Sequence, residues 1–111
     1  MDSNLYKQFN SIDIRVGKII QAGEFPEAQN PSYKLKIDFG EKIGVLKSSA
    51  QITNYSIDEL NNRLCIAVVN LGDKQIGPFI SECLILGSIN KNGEVLLLEP
   101  NQNAELGDSI S

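Results

Sequence analysis

The residues of this chain with the most chemical potential lie between Cys65 and Gly87, in the run CIAVVNLGDKQIGPFISECLILG. Two apolar, strand-like segments flank a Gly-Asp-Lys-Gln-Ile-Gly-Pro turn, and Ser81-Glu82 sits inside the second of them. A carboxylate within a hydrophobic strand is costly unless it is hydrogen-bonded or emerges at a site. Two roles are therefore open to Glu82. It is either a structural carboxylate, accepting backbone N–H groups or pairing with Arg15 or Lys74, or a group that touches a ligand. Ser81, Glu82 and Lys74 together offer a hydroxyl, an acid and a base, but nothing sets a nucleophile beside a base at a catalytic spacing. The chain contains no histidine, which removes imidazole acid–base chemistry and the common zinc ligand sets. It has no phosphate-cradling glycine loop and no metal motif. These features point away from an enzyme, so no catalytic residue, metal or cofactor is expected.

Binding chemistry is better supplied. Ser49, Gln51, Asn70 and Ser81 fall at or near the ends of predicted strands, where polar groups of an antiparallel barrel converge. With Lys74 and Glu82 at the rim and Phe79 as an apolar floor, they are expected to border one groove able to hold the main chain of an extended peptide. Their other reading is local capping and turn hydrogen bonds. A second candidate surface is basic. Arg15, Lys34, Lys36 and Lys47 could meet phosphates, although a plain solvated face is the better account of Lys34 and Lys36 taken alone.

Net charge is −4, which opposes avid nonspecific nucleic-acid binding. The charge is unevenly spread. Residues 1–53 carry seven basic and six acidic side chains, and residues 54–111 carry three basic and eight acidic, so an anionic ligand should meet the first half. Apolar residues make up 41% and charged residues 22%, ordinary globular usage for a chain with one domain's length of 111 residues. Cys65 and Cys83 lie in hydrophobic runs without C-x-x-C spacing and are expected to be buried free thiols. The first residues, MDSNLYKQFNS, show neither a signal peptide nor a lipidation motif, and no apolar run is long enough for a bilayer. The expectation is a cytoplasmic protein with no membrane insertion.

The elements that must position these groups read mostly as strands. Leu5 and Phe9 share one side of a short helix over residues 4–10. Ile12, Ile14 and Val16 alternate with Asp13 and Arg15, Gly17 interrupts as a bulge or bend, and Ile19-Ile20 resumes. Residues 21–32 form a loop rich in Pro and Asn. Tyr33, Leu35, Ile37 and Phe39 then alternate with Lys34, Lys36 and Asp38, giving a half-exposed strand, and 43–46 returns as its hairpin partner. Residues 48–53 follow where the strand pattern ends. Ser56 and Glu59 form a capping box opening a short helix. Residues 64–69 and 79–86 are the fourth and fifth strands, 88–93 a turn, 95–98 another short strand, and the remainder an irregular acidic tail. Three strands, a short helix and two strands give the order of an all-β, five-stranded OB-fold barrel. The whole chain reads as one domain, with a core over about 12–87 and extensions at 1–11 and 88–111. Leu5, Phe9, Val95 to Leu98 and Ile110 lie outside the five strands and need cover, so a homodimer is expected.

Four ordered blocks carry a resemblance: Asp13-Ile14-Arg15-Val16-Gly17-Lys18-Ile19, Tyr33-Lys34-Leu35-Lys36-Ile37-Asp38-Phe39-Gly40, Val68-Val69-Asn70-Leu71 and Ser81-Glu82-Cys83-Leu84-Ile85-Leu86-Gly87. Together they resemble the tRNA-binding domain appended to several aminoacyl-tRNA synthetases. Glu24 to Ala28, Ile37 to Gly40 and especially Ser48 to Thr53 resemble its stand-alone CsaA type, described as export-related chaperones. The resemblance implies an OB-fold core with terminal extensions that build a homodimer, and binding of tRNA or of unfolded or precursor polypeptides. The chain departs from the tRNA-binding pattern in lacking a His-Pro-x-Ala-Asp-Lys loop at 27–32 and in carrying one base, Lys74, at 73–75.

Overall fold

The computed structural model describes residues 1–111. In chain order the elements are α1 (Ser3–Ser11), β1 (Ile14–Glu24), β2 (Tyr33–Asp38), β3 (Val45–Ala50), α2 (Ile57–Leu60), β4 (Leu64–Val68), β5 (Lys74–Ile76), β6 (Phe79–Ser81), β7 (Leu84–Ile85), β8 (Gly87–Ile89) and β9 (Val95–Leu97). The principal sheet runs β3-β2-β1-β4-β7, antiparallel throughout, and curls into a nearly closed five-stranded barrel of OB type. Two small hairpins, β5–β6 and β8–β9, are appended to it.

The alternation in β2 decides what faces inward. Tyr33, Leu35, Ile37 and Phe39 are buried in one core with Ile19, Ile52, Leu60, Cys65, Ala67, Cys83, Ile85 and Leu97. Lys34 and Lys36 stand on the opposite face, half-buried and exposed, because successive side chains of a strand point to opposite sides. Gly17 is not the bulge itself. The register shift in β1 falls between Ile19 and Gln21, whereas a Cβ at Gly17 would lie 2.6 Å from Ile37 Cγ2 and 2.8 Å from Phe39 Cε1. The glycine lets the β2 core side chains pack directly against the β1 backbone.

Several expected boundaries move. The third strand begins at Val45 and continues through Ala50, so the hydroxyl-rich residues 48–50 are part of the sheet rather than its sequel. The predicted fifth strand over 79–86 is broken at Glu82-Cys83 into β6 and β7. The reason lies in β3: the N–H of Glu82 donates to the Lys47 carbonyl at 2.7 Å, and the Lys47 N–H donates to Glu82 Oε1 at 2.9 Å. The first two residues of the turn expected over 88–93, Ser88 and Ile89, belong to strand β8. Helix α1 is capped by Asp2, whose carboxylate accepts from the N–H groups of Asn4 and Leu5. The capping box of α2 forms as predicted, with Ser56 Oγ accepting from the Glu59 N–H and the Glu59 carboxylate accepting from the Ser56 N–H. That second bond is the main reason the Glu59 carboxyl is held below its usual range.

The acidic tail is irregular, as expected, yet its end is fastened to the barrel. Residues 107–110 lie along β1, on the stretch that pairs with β4 but lies beyond the reach of β2. Gly107 N–H donates to the Val16 carbonyl, Val16 N–H to Asp108, and Ile110 N–H to Ile14. Gly107 has φ +89°, and a Cβ there would sit 2.7 Å from the Phe39 carbonyl oxygen, so a side chain is excluded on both counts.

Candidate ligand-binding face

The hairpin of β2 and β3 sets the geometry. Its register places Lys34 opposite Ser49 and Lys36 opposite Lys47, with all four on the outer face. Phe79 from β6 and Phe25 from the loop after β1 close over this face. Their ring centroids are 5.4 Å apart and the planes are tilted by 57°. Lys34 Nζ lies 5.0 Å from the Phe25 centroid and 5.8 Å from that of Phe79, and Lys47 Nζ lies 5.3 Å from Phe79. Both ammonium groups are within cation–π range of the rings. Phe25 is only 3% exposed and acts as a foundation, while Phe79 is half-buried.

None of these lysines forms an ion pair. The two ion pairs of the molecule are Arg15–Asp13 and Arg63–Glu99, so Lys34, Lys36 and Lys47 share one face with unpaired ammonium groups on a chain of net charge −4. An open cleft of about 310 Å³, lined by residues including Glu24, Phe25, Pro26 and Thr53, adjoins the Phe25 side.

Ser81 and Glu82 sit at the seam where β3 meets the segment 79–83. Ser49 N–H donates to Ser81 Oγ at 3.3 Å, Ser81 Oγ donates to the Cys83 carbonyl at 3.2 Å, and Ser48 Oγ donates to the same carbonyl at 3.0 Å. Side chains thus satisfy β3 donors that a regular strand neighbour would have satisfied. Of the two roles open to Glu82, the observed contact is with backbone: it accepts from Lys47 N–H and pairs with neither Arg15 nor Lys74. Cys83 is buried beside this seam and Cys65 lies deeper in the core, both as free thiols. Burial pushes each thiol up to about 12, which leaves them protonated and unreactive at neutral pH.

The structure brings together Lys34, Lys36, Lys47, Ser49, Phe79, Ser81 and Glu82. Lys74 pairs with Ser81 in the β5–β6 hairpin and is exposed; Gln51 is exposed just past β3. Two predicted residues stand elsewhere. Arg15 binds Asp13 at 2.6 Å and the Gly107 carbonyl at 2.9 Å, fastening the tail. Lys34 pairs with Gly23 at the other end of β1, a contour of about 26 Å from Arg15 at roughly 3.3 Å per residue. Arg15 therefore does not join the lysine face. Asn70 accepts from the Asp13 N–H and donates to the Ser11 carbonyl, both at 2.8 Å, so its amide ties the end of α1 to the end of β4. The residue that sequence reasoning missed is Phe25. Its signal was an aromatic isolated in a loop of polar and proline residues.

Comparison with known proteins agrees with this architecture. The profile of a family described as "Putative tRNA binding domain" matches residues 14–109. The crystal structure of a CsaA chaperone protein from Picrophilus torridus superposes with a TM-score of 0.92 at 54% identity, covering 100% of both chains. That of a chaperone CsaA from Bacillus anthracis gives 0.90 at 40% identity, covering 100% of this chain and 99% of the other. The methionine–tRNA ligase of Pyrococcus furiosus is 30% identical over 105 residues, which is 95% of this chain but only 14% of the ligase.

Proposed function

The chain belongs to the tRNA-binding domain family, and from that premise we propose that it works as a homodimeric CsaA-like chaperone that binds unfolded or precursor polypeptides in the cytoplasm and serves protein export. Its action is binding alone. The observation that carries this reading is end-to-end likeness to two CsaA chaperones, which extends beyond the barrel to both terminal segments. The segments themselves are consistent with a dimer: α1 buries no residue and leaves Leu5, Tyr6 and Phe9 exposed, and Ile89, Leu96 and Leu98 are exposed around the β8–β9 hairpin. A second copy would cover such apolar surface. On the ligand side, Phe79 offers an apolar contact, and Ser49 and Gln51 offer polar groups at the end of β3.

A second reading, tRNA binding, is favoured by one specific observation. Lys34, Lys36 and Lys47 lie on one face without an acidic partner, which is the footprint expected of a phosphate-binding surface. Competition between tRNA and a denatured polypeptide for the purified protein tests both readings. The chaperone reading expects twice the chain mass in light scattering and suppression of client aggregation near one dimer per client. A monomer that holds tRNA and leaves aggregation unchanged would overturn it in favour of the second.

A further inference from the structure

Two lysines held over aromatic rings, with a third beside them on the same sheet face, call for a ligand that is both anionic and flat. In the free protein Lys34 and Lys47 hold their ammonium groups over the Phe79 ring, at 5.8 and 5.3 Å from its centroid. A cation over an aromatic face at a partly exposed site is held weakly, whereas the same cation on a phosphate oxygen makes a charge-assisted hydrogen bond. A nucleotide presents the phosphate and the flat ring together. We propose that Phe79 is a stacking platform for an unpaired base of RNA, and that Lys34 and Lys47 form a cationic lid over it which the flanking phosphates draw aside.

The surrounding residues fit this occupant. Phe25, buried beneath, fixes the Phe79 ring by a tilted contact. Lys36, directly across from Lys47 in the sheet, remains for a further phosphate. Ser49 shares the outer face of β3 with Lys47 and adds a hydroxyl to that face. Bases inside a duplex are already stacked on both faces, so the site selects single-stranded segments such as loops and ends. The inference rests on the RNA reading above, and deepens it by naming the part of the RNA that is read.

The test uses the full chain with a single-stranded RNA oligonucleotide carrying one 2-aminopurine, and with a duplex of equal charge. The protein should prefer the single strand and quench the 2-aminopurine. Phe79→Leu, which keeps apolar bulk over Phe25, should weaken single-strand binding by roughly tenfold, abolish the quench and leave the salt dependence unchanged. Replacing Lys34 and Lys47 together by Ala should instead reduce the slope of log K against log salt by about 1.4. Phe79→Trp keeps a stacking face whatever the fate of the leucine variant. The chain has no tryptophan of its own, so indole fluorescence quenched on RNA addition would report the contact directly. If the lysine pair matters but neither Phe79 variant alters affinity or fluorescence, the RNA face stands and the stacking platform is overturned. If no RNA is bound even at low salt, the RNA reading itself fails and the platform with it. Loss of polypeptide binding without loss of RNA binding in Phe79→Leu would likewise overturn the platform, assigning the ring to the polypeptide.

Discussion

Replacing Glu82 by Ala removes the acceptor for the Lys47 N–H at the seam of the barrel, a bond of 2.9 Å from a half-buried carboxylate. Hydrogen bonds to charged groups contribute about 1.5–3 kcal/mol, and a buried donor left unpaired costs about 1–3 kcal/mol. Glu82 is partly reached by solvent, so water replaces some of what is lost and the expected destabilisation is about 2 kcal/mol. For a domain of this size that lowers Tm by roughly 10 °C. Glu82→Gln keeps an oxygen at the same place without the charge, and should cost about 1 kcal/mol. Urea unfolding followed by circular dichroism should therefore order the proteins wild type, Gln, Ala, with unchanged m-values. Ser81→Ala removes the neighbouring side-chain acceptor, at the longer 3.3 Å, and a double-mutant cycle with Glu82→Ala should show coupling because both close the same edge. An Ala variant within about 0.5 kcal/mol of wild type, the range of ordinary surface substitutions, would refute the assignment of Glu82 to the seam.

Three further outcomes follow from the packing and the caps. Gly17→Ala drives a methyl into Ile37 and Phe39, both fully buried, and should destabilise by about 2 kcal/mol in denaturant unfolding. Cys65 and Cys83 are raised from 9.0 to about 12 in the fold; because the unfolded chain releases these protons first, the stability they contribute is full below pH 9 and lost as pH rises towards 12. The slope is about 1.4 kcal/mol per pH unit for each thiol within that window. Thermal melts across it should fall less steeply once both cysteines are replaced by Ala, which controls for lysine titration. Ser56→Ala should cost about 1 kcal/mol by loss of the α2 cap. The same substitution should move the Glu59 titration upward in an NMR pH series, since the Ser56 side chain helps hold that carboxyl down.

The parts of the fold legible in the sequence are those written in local patterns. Alternation from Tyr33 to Phe39 placed four core residues inside and Lys34 and Lys36 outside, and the Ser56–Glu59 spacing announced the cap of α2. What escaped depends on partners remote in sequence. The interruption of 79–86 is caused by Lys47; Glu82 marked the place as a carboxylate in need of a partner, but the run does not say that the partner is the β3 backbone. The end of β3 was misjudged because Ser48 reads as polar, yet it is fully buried with its hydroxyl on the Cys83 carbonyl. The candidate site was half legible: its lysines, Phe79 and Ser81 were named, but Phe25 joins them only through tertiary contact. Arg15 was assigned to the wrong neighbours because a strand pattern gives the face of a side chain and not its position along a curved barrel.

The tail bound along β1 makes the order of synthesis matter. Ile14 and Val16 are among the first barrel residues to leave a ribosome, while their partners at 107–110 follow nearly a hundred residues later. At translation rates of about 5–20 residues per second, that stretch of β1 stays unpaired on one side for roughly 5–20 s. An open strand edge is a template for pairing with other chains. A nascent chain released before residue 107 would carry this edge permanently, with Arg15 deprived of the Gly107 carbonyl that holds it. Truncation of the chain before residue 107 should thus produce an aggregating species rather than a barrel that merely lacks a segment.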